Sequence, residues 1–95
     1  MNFGTLKMYI DGHLVKSSNE NYKDIISPLN NKTIAKLSWA SREDSIKALK
    51  SAQKGFDIWS RTPVVERTNW MNLLREKILE KKEKLRKSIS YEMGK

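Results

Sequence analysis

The 95-residue chain contains no cysteine. That excludes disulfides, thiolate nucleophiles and thiolate metal sites built from these residues, and fits a reducing compartment. Histidine occurs once, at His13, with no second ligand-type neighbour at metal spacing. It reads as a surface residue rather than a metal ligand or catalytic base. The four glycines (Gly4, Gly12, Gly55, Gly94) are isolated, so there is no phosphate-cradling loop. No two carboxylates stand as an acid/base pair away from salt-bridge partners. No run approaches the ~18 apolar residues of a membrane-spanning helix, and Met1 to Ile10 lacks the apolar core of a signal peptide. The expectation is a cytoplasmic protein with no membrane partner and no enzyme site made by these residues alone.

What is present is charge. At 38% hydrophobic and 32% charged, with a net charge of +8, the chain is soluble and poor in core residues. Arg75 to Lys87 holds seven basic residues and three acidic ones. Such a run suits a nucleic acid or an anionic surface; equally, it is the solvated face of a lysine-rich helix. Trp39, Trp59 and Trp70 could serve as stacking platforms for bases. Trp59 and Trp70 fall in helical apolar stripes, where an aromatic belongs to a core.

The local pattern predicts two short β-hairpins and then two or three helices, an α+β arrangement. Asp11-Gly12 between Met8-Tyr9-Ile10 and Leu14-Val15 is a type I′ turn signal, since both central positions need positive φ. Tyr22 to Ser27 reads as a strand that Pro28 ends, because proline has no N–H for a ladder. Thr33 to Trp39 is its partner, with Thr33, Ala35, Leu37 and Trp39 expected on one face. The hairpins thus occupy residues 8–39.

A first helix is expected over 41–60. Ser41 is its N-cap and Asp44 the far side of a capping box. Its apolar stripe is Ile46, Leu49, Ala52, Phe56 and Trp59. Gly55, costly in mid-helix, points to close packing there. Thr62 is the expected N-cap of a second helix and Pro63 its first helical residue. That helix runs over 63–93 with a stripe of Trp70, Leu73, Leu74, Ile78, Leu85 and Ile89. It is long for a globular helix, and a break near Lys81 to Leu85 is expected. Glu80–Lys84 and Glu83–Lys87 are spaced as i,i+4 ion pairs. Gly94 suits the C-terminal cap.

The order of segments resembles a known family. Tyr9-Ile10-Asp11-Gly12, Ile25-Ile26-Ser27-Pro28, Thr33-Ile34-Ala35, Ser41-Arg42-Glu43-Asp44, the helix from Ala48 to Trp59, Thr62-Pro63-Val64-Val65-Glu66-Arg67 and Glu92-Met93-Gly94-Lys95 follow one another with the gaps of the N-terminal part of the NAD(P)-dependent aldehyde dehydrogenases. The resemblance spans nearly all of residues 8–95. The chain departs at Asp11 and Ser27, where the family uses Asn, and at Leu14, where it uses Trp.

The resemblance implies an α/β parent with a Rossmann-like cofactor domain, of which residues 1–95 would be the N-terminal part. It implies oxidation of an aldehyde, a semialdehyde among the candidates, to a carboxylic acid with NAD or NADP. The family's catalytic cysteine, general base and cofactor loops lie beyond the stretch matched, so Lys95 is expected to be a cut end, from a truncated gene or a split reading frame. The fragment would be inactive alone, with the remainder of the chain as partner and a homo-oligomeric parent. No catalytic or cofactor-binding residue is assigned. The backbone carbonyls of Ile25 and Ile26 would map to a monovalent cation site found in some members. Glu66 and Arg67 would hold the second helix to its neighbours, and Lys95 would be structural. The competing reading is a small basic helical module that binds nucleic acid or another protein.

Overall fold

The computed structural model describes residues 2–94. Lys95, the last residue of the Glu92–Lys95 segment, lies outside the described residues. The element order is β1 (Thr5–Leu6), β2 (Met8–Ile10), β3 (His13–Val15), β4 (Tyr22–Ile26), β5 (Thr33–Ser38), α1 (Arg42–Trp59), α2 (Val64–Glu80) and α3 (Lys82–Met93). Two hairpins and then three helices are thus the observed architecture, as the α+β reading expects.

The first hairpin pairs Met8 with Val15 and Ile10 with His13. Asp11 (φ 53°) and Gly12 (φ 78°) both lie in the left-handed region, as a type I′ turn requires. The second pairs Tyr22 with Ser38 and Ile26 with Thr33, and its register shifts between Ile25 and Ile26. A further strand, not foreseen, is β1. It adds parallel to β5, with Thr5 opposite Lys36 and Leu6 opposite Leu37, giving the sheet order β1-β5-β4. The central strand β5 is therefore covered unevenly on both faces. Ile34, Ala35 and Ser38 are buried, and the clean alternation expected for this strand is not seen.

The long helical stretch is two helices. They meet at Lys81, whose φ of −103° and ψ of 13° leave the α-region, and whose N–H is shared among the carbonyls of Lys77, Ile78 and Leu79. Neither acidic group takes the partner expected: Glu80 turns back to Lys77 and Glu83 reaches Arg86, one residue short of Lys87. Glu80 meets Lys77 at 3.4 Å and Glu83 meets Arg86 at 2.9 Å, both i,i+3. These pairs are exposed, and exposed pairs of this kind contribute about 0–1 kcal/mol.

The C-terminal end of α3 returns to the sheet. The Ser27 hydroxyl, fully buried, donates to the Tyr91 carbonyl at 2.6 Å. Gly94 closes the helix at φ 74°, and a Cβ there would lie 3.1 Å from the Pro28 ring. Glycine is thus required twice over, for the left-handed conformation and for the close approach. Gly55 is different. Nothing lies within 4 Å of a Cβ built on it, so the close packing expected there is absent.

Burial of apolar side chains is slight. Ile34 and Ala35 are the buried hydrophobic residues among those described, while α2 and α3 bury no residue. Amide hydrogen exchange should reflect this gradient. Amides of β5 are expected to be the best protected and those of α2 the least. Uniform strong protection across α2 would contradict the assignment. Gly55→Ala should raise the helicity of α1, by about 0.5–1 kcal/mol in helix propensity; a loss of helicity would show that this position is covered.

Candidate functional site

The segment from Trp59 to Arg67, where the sequence ends one helix and begins the next, is an open joint between α1 and α2. α1 ends at Trp59. The Ser60 N–H reaches back to the Phe56 carbonyl at 2.9 Å and the Thr62 N–H to Trp59 at 3.1 Å. Thr62 is not the cap of the following helix. Its hydroxyl donates backward to the Ile58 carbonyl at 2.9 Å. Pro63, extended at ψ 148°, takes the N-cap position of α2, and no side chain caps that helix. The reason is local competition: a threonine three residues past the last helical residue can satisfy a terminal carbonyl behind it instead of an N–H ahead.

Beyond the turn, Trp59, Val64, Arg67, Thr68, Met71 and Asn72 line a shallow groove of about 350 Å³. Its apolar members are exposed, at 42% for Trp59, 66% for Val64 and 56% for Met71. Yet the Nε of Arg67 is buried and has no hydrogen-bond partner. A donor cut off from water and left without an acceptor costs about 1–3 kcal/mol, more when charged. The exposed apolar stripe continues in both directions, through Leu49 and Phe56 on α1 and through Trp70, Leu74 and Ile78 on α2.

The extent of this open surface is large. The chain exposes 8051 Å², where a compact monomer of its mass would expose about 5,600 Å². Its radius of gyration is 16.7 Å and its thinnest dimension 16 Å, against a radius of about 12 Å for a globular domain of this length. The excess, roughly 2,400 Å², belongs to the elongated chain as a whole.

The start of α1 is the opposite kind of place, a closed polar knot. Asp44, 4% exposed, accepts from the Ser41 N–H at 2.9 Å and the Ser18 N–H at 3.1 Å. Ser41 Oγ accepts from the Asp44 N–H at 3.1 Å, completing the capping box. The two backbone donors hold the Asp44 carboxyl below its ordinary value of 3.8, the Ser41 N–H having the larger effect. Sequence reasoning saw the capping box but not Ser18, which joins the knot from 26 residues away.

Ile25 and Ile26, the candidate cation residues, fall at the register shift of β4, opposite Ala35 and Thr33. The donor type suits a hard cation, but two carbonyls do not make a coordination shell. Among the described residues no group of three or more His, Cys, Asp or Glu could hold a metal ion. Exposed His13 lines a groove between the first hairpin and α1, with Lys16, Lys47, Lys50 and Lys54. Trp39 carries the Lys23 ammonium 3.7 Å from its ring centroid, a cation–π contact that occupies one face. No described helix is long and apolar enough to cross a membrane.

The chain thus runs from two hairpins to a capped helix, an open proline joint and a helical stretch broken at Lys81. The model of the aldehyde dehydrogenase family matches residues 14–95, and the chain belongs to that family. Its relatives include the malonate-semialdehyde dehydrogenase of Bacillus velezensis, 33% identical over 95% of this chain. A probable methylmalonate-semialdehyde/malonate-semialdehyde dehydrogenase of Aedes aegypti is 32% identical over 96%. A betaine aldehyde dehydrogenase of Staphylococcus aureus, solved with NAD+, superposes at a TM-score of 0.83 with 32% identity over 90% of this chain. A 3,6-anhydro-L-galactose dehydrogenase shares the fold at a TM-score of 0.86 and 23% identity. The chain spans about 18% of the length of each of these relatives.

The pH response of the Asp44 knot follows from the direction of its shift. As pH falls, the unfolded chain takes up the proton before the folded chain does, so the carboxylate's contribution is complete above its ordinary value of 3.8 and drains away as pH drops through the lower folded value. Asp44→Asn should abolish that part of the acid-induced loss of helix, followed by circular dichroism between about pH 5 and 2. An unchanged acid profile would show that another group controls it.

Proposed function

We propose that this chain is the N-terminal portion of an NAD(P)-dependent aldehyde dehydrogenase and is inactive by itself. The reading rests on one observation: the family model matches residues 14–95 of a chain that buries little of its apolar surface. The reaction is oxidation of an aldehyde to a carboxylic acid, and the semialdehyde relatives favour a semialdehyde substrate. NAD or NADP would accept the hydride; a relative solved with NAD+ supports this.

The part these residues play is structural. With no cysteine, the chain cannot supply the thiolate on which an aldehyde would form a thiohemiacetal. Its hairpins and helices instead form the N-terminal part of the cofactor-binding domain, held by the Asp44 knot and by the Ser27–Tyr91 bond. The remainder of an aldehyde dehydrogenase chain is the partner, in a homo-oligomeric, cytoplasmic parent with no nucleic acid or membrane partner. A monovalent cation at the Ile25 and Ile26 carbonyls would need its further oxygen ligands from that remainder.

The test is a chimaera in which this chain replaces the stretch it matches in the Bacillus velezensis malonate-semialdehyde dehydrogenase. The chimaera is expected to reduce NAD+ when given malonate semialdehyde, read at 340 nm, and the isolated chain is not. A chimaera that folds but stays inert, or an isolated chain that turns over, would sink the proposal.

A further inference from the structure

We infer that the groove between the first hairpin and α1 is an anion site for a small molecule carrying several linked phosphate groups. Such a site would work independently of the dehydrogenase chemistry proposed above.

The groove encloses about 490 Å³, the size of an ordinary small-molecule site. Two segments bring cations to it. Lys47, Lys50 and Lys54 recur at i, i+3 and i+7 on α1, so one helix face presents all three. From the hairpin side, His13 opens β3 and Lys16 follows it, and both line the same groove. Half-buried Ile10 and Val15 supply the apolar part of the lining. The two walls are tied together, because the Ser51 hydroxyl on α1 donates to the Asp11 carboxylate at the hairpin turn, at 3.2 Å. Walls fixed in advance lower the ordering cost of binding.

The carboxylates around the groove are already engaged. Asp44 accepts the N–H groups of Ser41 and Ser18, Asp11 accepts from Ser51, and Glu43 meets Lys47 at 3.6 Å. Lys16, Lys50 and Lys54 are exposed and take part in no salt bridge among the described residues. An anion can therefore reach three ammonium groups without first displacing a carboxylate from them.

The type and spacing of the cations select the ligand. No arginine lines the groove, so the planar fork that favours a carboxylate is missing, whereas lysine acts on phosphate as a compact point charge. From Lys47 to Lys54 the helix rises about 10 Å, which sets separate lysines against separate charges rather than all of them against one. The cationic stretch is also bounded. On the same helix face Glu43 stands one turn before Lys47, and Asp57 one turn after Lys54. A polyanion long enough to overrun the groove, such as a nucleic acid strand, would meet carboxylates on both sides.

The experiment titrates the chain with sodium tripolyphosphate at low ionic strength, followed by calorimetry, with circular dichroism to compare the helicity of each variant. Binding is expected, and Lys50→Gln with Lys54→Gln should weaken it about tenfold. Lys82→Gln with Lys84→Gln removes the same charge from exposed positions on α3 and should leave it unchanged. Lys16→Gln lies outside the helices and should weaken binding without touching helicity, so the comparison survives a loss of helix in the α1 pair. ATP should bind as tripolyphosphate does, and inorganic phosphate roughly tenfold more weakly. Absence of binding, or equal losses from the α1 and α3 pairs, overturns the site. Inorganic phosphate binding as tightly as tripolyphosphate overturns the need for linked phosphates. ATP binding far more tightly makes the nucleoside the recognised group and overturns the phosphate assignment. A single-stranded oligonucleotide or a phosphatidylserine vesicle that outcompetes tripolyphosphate, and depends on Lys50 and Lys54, overturns the choice of a small ligand. None of these outcomes alters what the chimaera's activity says about the proposed function.

Discussion

In a chain whose thinnest dimension is 16 Å, Ile34 and Ala35 are the buried hydrophobic residues among those described. An exposed apolar side chain stays in water unless something covers it. At about 25 cal/mol for each Å² of apolar surface, the exposed stripe from Leu49 to Ile78 is the largest unrealised source of stabilisation in the chain. What the molecule does have is confined to its polar ties and one sheet. The capping box at Ser41 and Asp44 fixes where α1 begins, and Ser18 fixes the chain before the sheet against it. The Ser27–Tyr91 bond fixes where α3 ends. Between those two fastenings, α1, α2 and the proline joint are held along their length mainly by their own backbone hydrogen bonds.

That division explains which parts of the architecture were legible in the sequence. Asp11-Gly12, Ser41 with Asp44, and Gly94 each encode a conformation through a local requirement: positive φ, an orphan N–H, a left-handed cap. Those requirements are met inside a few residues, so they can be read from a few residues. β1 was illegible because Thr5 and Leu6 are strand only through pairing with Lys36 and Leu37, a contact across the chain. Ser18 joined the Asp44 knot unannounced for the same reason. Thr62 failed differently. Both of its options, capping forward or bonding backward, are local, and propensity does not rank them. At Gly55 the inference from glycine to close packing needed a neighbour, and among the described residues none stands there.

The candidate site divides along the same line. Trp59, Pro63 and Arg67 were visible as a joint, and the family match at residues 14–95 agrees with the resemblance drawn from these segments. The buried, unpartnered Nε of Arg67 was not visible, because burial of one atom depends on the packing around it. The lysine-rich run from Arg75 to Lys87 illustrates the opposite hazard. It suggested a nucleic-acid face, yet Glu80 and Glu83 are interleaved so that each pairs with a base one turn away. Charge alternates along α2 and α3 as on a solvated helix surface, which is the less specific of the two readings.

Placing the orphan donor and the apolar rim together constrains how the unit could have come to look as it does. Natural chains bury apolar stripes and satisfy buried donors with considerable regularity. A chain that leaves both unmet at one joint, while closing its polar knot at Asp44 and its glycine cap at Gly94, is consistent at every local level and incomplete at one global level. Exposed apolar side chains stand on the hairpins as well as on all three helices, and the buried, unpartnered atoms are Ser38 Oγ in β5 and Arg67 Nε in α2; burial of such stripes needs a neighbour, since the local turns and caps are already satisfied.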